Sequence, residues 1–187
     1  MLRKDREMDR GYAFKVIDSS MYGNLSLVAD DGRPYGVPLC FVRDGEILYF
    51  HCAKKGMKAE CIARCPCVHI TFVSFCRVPE LMSPEEAAKA ALSPETAGTI
   101  GDRVFTLEFA SAAVDGTAVQ VDNEAEKRRA LELLSQKYVP EYMEFFDAAN
   151  GSAIDSAAVY KIKIEKLSAK RKEFGRGGGE LKWGRTE

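Results

Sequence analysis

The sequence predicts a mainly β fold with peripheral helices, its six antiparallel strands curling into a small barrel. Three observations carry this. Residues 24–29, 35–42 and 47–52 are short apolar runs on tight turns, the second turn being the hairpin pair Asp44-Gly45, which indicates a meander rather than βαβ crossovers. Three further runs, 68–75, 104–121 and 157–164, have strand composition, the second being one long strand or two, broken near Asp115-Gly116. The intervening helical stretches are short and no internal repeat occurs, so a closed barrel with helices at its rim is the expected way to remove exposed edges.

In chain order, residues 7–20 read as a helix, because Met8, Ala13, Val16, Ile17 and the nearby Met21 recur at helical intervals between charges. After the first three strands, residues 54–65 read as a short helix with Met57, Cys61 and Ile62 on one side, ended by Pro66. Residues 79–101 change character, and Ser83 with Glu86 forms a capping box there, so this segment is expected as an insertion or lid. Asp122 is expected to cap a helix through Lys137 with Ala130, Leu133 and Leu134 inward, and 138–149 to add a second helical stretch. Residues 171–187, with Gly177-Gly178-Gly179 and the single tryptophan, Trp183, read as a flexible tail.

Composition narrows the function. A length of 187 residues favours one domain. The 27 basic and 28 acidic residues leave a net charge of −1, which argues against a broad nucleic-acid surface. No apolar run approaches the roughly 20 residues of a membrane span, and the charged start Arg3-Lys4-Asp5-Arg6-Glu7 is unlike a signal peptide. A cytoplasmic protein with six reduced cysteines is therefore expected.

The stretch Phe50-His51-Cys52-Ala53-Lys54-Lys55-Gly56-Met57-Lys58 carries the most chemistry. A strand ends, a glycine turn follows and a helix begins, and helix N-termini present unpaired N–H groups to anions. His51, Lys54, Lys55 and Lys58 add donors around that point. From the residues alone, a phosphate cradle and a solvated basic turn both remain open.

The order of motifs resembles the FMN-binding split-barrel proteins of the pyridoxamine 5′-phosphate oxidase-like group, in particular the nitroimidazole-resistance (5-nitroimidazole reductase-type) branch. The resemblance rests on Arg3-Lys4-Asp5-Arg6-Glu7, Tyr22-Gly23, Pro34-Tyr35-Gly36-Val37-Pro38-Leu39, Tyr49-Phe50-His51-Cys52-Ala53, Gly56-Met57-Lys58, Arg64-Cys65-Pro66-Cys67-Val68, the strand from Ser111 to Gly116 and Asp122-Asn123-Glu124. It covers residues 3 to about 165. It implies a flavin-binding split-barrel domain over 1–170 and a homodimer with two FMN sites at the subunit interface. By that analogy His51, Cys52, Ala53 and Lys58 surround the FMN phosphate, and Val37, Pro38, Leu39 and Cys40 lie along the isoalloxazine. Ser111, on a strand that also fits the family, is by the same analogy a further cofactor-binding residue. The family often has serine where this chain has Cys52, and a thiol is the weaker donor.

The implied activity is an FMN-dependent oxidoreductase carrying electrons from a nicotinamide donor to a small organic acceptor, with no side chain standing out as acid or base. The alternatives are a flavin- or haem-binding sensor or storage protein without turnover, and a barrel that has lost its cofactor. Cys61, Cys65, Cys67 and His69 do not follow a standard zinc spacing and read as packing, so no metal is expected. Tyr138, Tyr142, Phe145 and Phe146 also read as packing. Trp183 either covers a flavin, on its own chain or a partner's, or is simply exposed.

Overall fold

The computed structural model describes residues 2–153 and 157–183. Its strands are β1 (Glu7–Met8), β2 (Gly23–Val28), β3 (Pro34–Leu39), β4 (Val42–Asp44), β5 (Ile47–Ala53), β6 (Cys67–Arg77), β7 (Glu108–Gln120) and β8 (Ala157–Lys172). Its α-helices are α1 (Arg10–Ser19), α2 (Met57–Arg64), α3 (Pro84–Ala90), α4 (Pro94–Arg103), α5 (Glu124–Tyr138) and α6 (Phe146–Ala153). All strands join one antiparallel sheet in the order β3-β2-β6-β7-β8-β5-β4, with β1 added along β8. The mainly β split-barrel class is the one expected, but the sheet has eight strands instead of six. The pair β1 is additional, and the run 35–42 divides into β3 and β4 at Cys40-Phe41.

The sheet is not closed by hydrogen bonds. Its two end strands, β3 and β4, are joined covalently by the two-residue link Cys40-Phe41. Phe41 is fully buried there, its ring edge-on to Phe50 at 5.5 Å and to Phe72 at 5.4 Å. The Tyr138 hydroxyl bridges the Phe41 N–H and C=O, each at 3.0 Å, and Lys137 Nζ donates to the same carbonyl at 2.9 Å. Burial pushes the Lys137 ammonium below its ordinary pKa and the Tyr138 hydroxyl up to about 12.

The interior is filled by α1, whose Ala13, Val16 and Ile17 join the main core. Along β7 the inward positions are Glu108, Ala110, Ala112, Val114, Gly116 and Ala118, mostly small, which leaves room for a helix inside a small barrel. A second core lies under α5, where Ala130, Leu131 and Leu134 meet Val42, Tyr49 and Val159.

Several boundaries differ from expectation for identifiable reasons. The Asp9 carboxylate caps α1 through the Tyr12 N–H, so Glu7 and Met8 are left to pair with β8, and Met21 is exposed. Asn123, not Asp122, caps α5 through the Glu126 N–H, and Leu131 replaces Leu133 as the buried leucine. The broken run 104–121 is one strand from Glu108, and its break is a register shift at Asp115/Gly116. That shift leaves Glu165 of β8 without a paired residue, which disrupts the alternation at Ile164 and hides the strand's continuation to Lys172. Of the four aromatics read as packing, Phe146 is buried and Tyr138 is partly so, but Tyr142 and Phe145 are exposed.

Residues 171 and 172, expected in the tail, belong to β8. Beyond them Phe174 bridges Glu180, the Trp183 N–H donates to the Asp5 carbonyl, and Glu180 and Lys182 form ion pairs with Arg6 and Asp5. The last four residues of the expected tail lie outside the described residues.

Candidate functional site

The end of β5 and the start of α2 form the site that the sequence singles out. Gly56 occupies the N-cap with φ 117° and ψ 175°, a conformation that ends the turn and that a residue with a Cβ rarely adopts. This is why the helix begins at Met57 and not at Lys54. No side chain among the described residues caps it, and the first intrahelical bond runs from the Glu60 N–H to the Gly56 carbonyl. The N–H groups of Met57, Lys58 and Ala59 therefore point out of the helix end, where the macrodipole favours an anion.

Around that end stand His51, Cys52 and Ala53 on β5, Lys54 and Lys55 on the turn, and Lys58 on the first helical turn. Packing lowers the His51 pKa, so its imidazole is neutral at pH 7 and donates through one ring nitrogen. Burial raises the Cys52 pKa, only partly opposed by the Lys58 charge, so the group stays a thiol, and its Sγ lies 3.3 Å from the Ala53 carbonyl. Behind them Phe50 stacks on Tyr160 at 5.2 Å, giving the strand end a rigid floor. The donor set suits a phosphate: outward backbone N–H groups and Lys58 on the helix itself, with Lys54 and Lys55 on the adjoining turn.

The second predicted group, Val37, Pro38, Leu39 and Cys40, runs along β3 into the Cys40-Phe41 link. Because the link leads into β4, which pairs with β5, this strand end is delivered beside the strand that carries His51, Cys52 and Ala53. Val37 and Leu39 turn partly toward the core, and Pro38 and Cys40 are exposed.

Ser111 and Trp183 are not brought there within one copy. Ser111 lies on β7 opposite Val73 and Lys170, lining an open groove of about 580 Å³ with Glu7, Thr71, Ala113 and Ser168. Trp183 is held at 4.4 Å by the Arg171 guanidinium, which also lies over the Tyr12 ring and pairs with the Glu173 carboxylate. Arg171 is 13 positions along β8 from Ala158, which pairs with Cys52, roughly 40 Å of extended strand. Of the cysteine-rich group, Cys61 is buried in the core, and His69 Nδ1 lies 2.6 Å from Asp115 Oδ1 across the β6–β7 pair. Among the described residues no three His, Cys, Asp or Glu side chains converge as metal ligands, and no helix is long and apolar enough to cross a membrane.

Sequence reasoning missed the Lys137 and Tyr138 clamp on Phe41. Tyr138 carried a signal, since a partly buried tyrosine needs a partner for its hydroxyl, whereas nothing in the sequence marked Lys137.

The chain is an open antiparallel barrel plugged by a helix, with the α2 start free of a side-chain cap among the described residues. The pyridoxamine 5′-phosphate oxidase family model matches residues 13–171, and the chain belongs to that family. Among solved structures, the FAD and haem binding protein from Mycobacterium smegmatis is similar with TM-score 0.68 and 17% identity, over 98% of this chain and 77% of that one. A candidate 5-nitroimidazole antibiotic resistance protein from Bacteroides thetaiotaomicron VPI-5482 is similar with TM-score 0.66 and 20% identity, over 88% and 86% of the two chains. The flavocytochrome Anf3 from Azotobacter vinelandii is similar with TM-score 0.66 and 18% identity, over 94% and 71%. None of the curated protein sequences matches.

Proposed function

We propose that the chain is an FMN-binding homodimer that carries electrons from a nicotinamide donor to a small organic acceptor in the cytoplasm. The observation that carries this reading is the uncapped start of α2 at Gly56, with His51 and Lys58 beside it in a chain of the pyridoxamine 5′-phosphate oxidase family. In this reading the Met57, Lys58 and Ala59 N–H groups and the Lys58 ammonium hold the phosphate, His51 donates as a neutral imidazole, and β3 from Val37 to Cys40 offers its backbone to the ring edge. Bound flavin supplies the hydride chemistry, and the chain supplies binding, orientation and electrostatics. Ser111 and Trp183, at the far end of β8, then serve the flavin of a second copy, which is why the reading is dimeric.

The likeness to haem-binding structures supports a second reading, a flavin- or haem-binding sensor or storage protein without turnover. One preparation separates the two. A purified chain with the two visible flavin bands that NADH or NADPH bleaches supports the oxidoreductase. A Soret band, or a flavin that no nicotinamide reduces, supports the second reading. For the phosphate cradle, Lys58→Ala removes a charge-assisted contact worth about 1.5–3 kcal/mol, ten- to a hundred-fold in FMN affinity. Unchanged affinity in that variant rejects the cradle.

A further inference from the structure

The segment between β6 and β7 has strong local structure and no core of its own. Ser83 and Glu86 form a complete capping box on α3, Ser93 caps α4, and the Thr96 hydroxyl donates to the Ala90 carbonyl at 2.7 Å, tying the two helices together. Neither helix buries a residue. Leu92 is 86% exposed and Phe105 82%, with Val78 and Leu107 also exposed at the base. Two open grooves of about 580 and 620 Å³ flank that base, sharing Val78 and Val104. A segment with two locally well-specified helices, yet with large apolar side chains beside them left in water, marks an interaction surface.

The charge of the arm indicates what covers it. Residues 79–107 contain five acids and two bases. Glu80, Glu85, Glu95 and Asp102 are exposed, and none is in an ion pair among the described residues. The turn before α2 is the complement, with Lys54, Lys55 and Lys58 and no acid between them. The two lie at opposite ends of the sheet in one copy: Ala53, before the lysines, pairs with Ala157 at the start of β8, and Phe109, paired with Cys76 near the end of β6, pairs with Lys172 at the end of β8. The 11 residues of β6 separate them by roughly 35 Å along the strand. A contact between two copies related by a two-fold axis is isologous and is satisfied twice.

We propose that the 79–107 arm docks on a second copy of this chain, its apolar side chains against that copy's surface and its carboxylates against that copy's Lys54 and Lys55. The inference rests on the homodimer reading above and adds the element that fastens the dimer. Lys58, on the helix, stays with the phosphate, and the two turn lysines face the arm.

The test is the dimer dissociation constant of the full chain, measured by sedimentation without added flavin, with circular dichroism confirming that each variant folds. Glu85→Lys with Asp102→Lys, and separately Lys54→Glu with Lys55→Glu, each weaken the dimer about tenfold, and the four changes together restore it to within about threefold. Leu92→Ser with Phe105→Ser weakens it at least as much, without rescue by the charge changes. A dimer whose constant moves less than about twofold in all these variants overturns the docking of the arm and leaves the homodimer reading standing. A chain that stays monomeric at micromolar concentration while binding FMN overturns the homodimer reading, and the docking falls with it.

Discussion

Replacing Gly56 by alanine tests the cradle at its backbone. The residue sits at φ 117° and ψ 175°, and a Cβ built there meets nothing within 4 Å. Crowding by neighbours therefore contributes nothing, and the whole cost is conformational. That region of backbone space is essentially confined to glycine, and holding another residue in it costs about 1–3 kcal/mol. In a chain of this size each kcal/mol lowers the melting temperature by about 2–4 °C, so the expected drop is about 2–12 °C. The chain can relieve the strain by rotating the turn, but that re-aims the Met57 and Lys58 N–H groups. FMN affinity then falls with stability, by about tenfold for each charge-assisted bond lost. The control is Gly98→Ala inside α4, where a Cβ also meets open space but φ is not positive; it should gain up to about 1 kcal/mol. Differential scanning calorimetry and an FMN titration read both effects. A Gly56→Ala protein that melts and binds FMN like the parent refutes the argument that this turn requires glycine.

Three further perturbations probe the frame around the site. In Gly116→Ala the new Cβ would lie 2.3 Å from the Lys163 carbonyl oxygen and 2.7 Å from Ile162 Cγ2, so the β7–β8 pair must shift; a loss of about 1–3 kcal/mol or more should appear as a lower urea midpoint, and an unchanged midpoint contradicts the close approach. Tyr138→Phe leaves the Phe41 N–H without its partner at the seam between β3 and β4, a cost of about 1–3 kcal/mol in chemical denaturation, and a variant as stable as the parent removes that bond from the account. Acid should release the C-terminal segment. The Arg6 hydrogen bond, with help from Lys182, holds the Glu180 pKa down to about 2, and Arg3 and Lys182 hold Asp5 well below the usual carboxylate range. Glu180, and Asp5 through its Lys182 partner, favour the docked segment fully above the ordinary value of 4.5, and the effect is lost as pH falls toward about 2. Trp183 fluorescence should change across that window, and a flat profile contradicts the tether.

The fold was legible because its signals are local. The turns at 30–34 and 44–45 and the capping box at Ser83 each act over a few residues, and each appears in the structure where the sequence placed it, whereas α2 starts three residues later than expected, after Gly56. The misplaced features depend on partners far away in the chain. The strand β1 exists because β8 accepts it, and the length of β8 is hidden by a bulge at Glu165, whose cause lies in pairing with β7. The split of 35–42 into β3 and β4 follows from burial of Phe41 among Phe50, Phe72 and the Tyr138 hydroxyl, three groups that a pattern of alternation does not bring together. Trp183 likewise looked free of packing on a glycine-rich tail, but the far end of β8 supplies Arg171 beneath it.

The candidate site divides along the same line. His51, Cys52, Ala53 and Lys58 are seven positions apart at most, so one strand–turn–helix corner is enough to gather them, and the sequence could show it. Whether Ser111 and Trp183 join them is decided by register. Cys52 pairs with Ala158, whereas Ser111 pairs with Lys170 near the other end of the same strand. Two groups fixed at opposite ends of one continuous strand cannot be brought together by a side-chain rotation or by movement of a short tail. Any cofactor that touches both must therefore touch two copies. In the proposed homodimer the same strand would set the spacing of the two halves, and that is the geometry the proposed docking of the 79–107 arm requires.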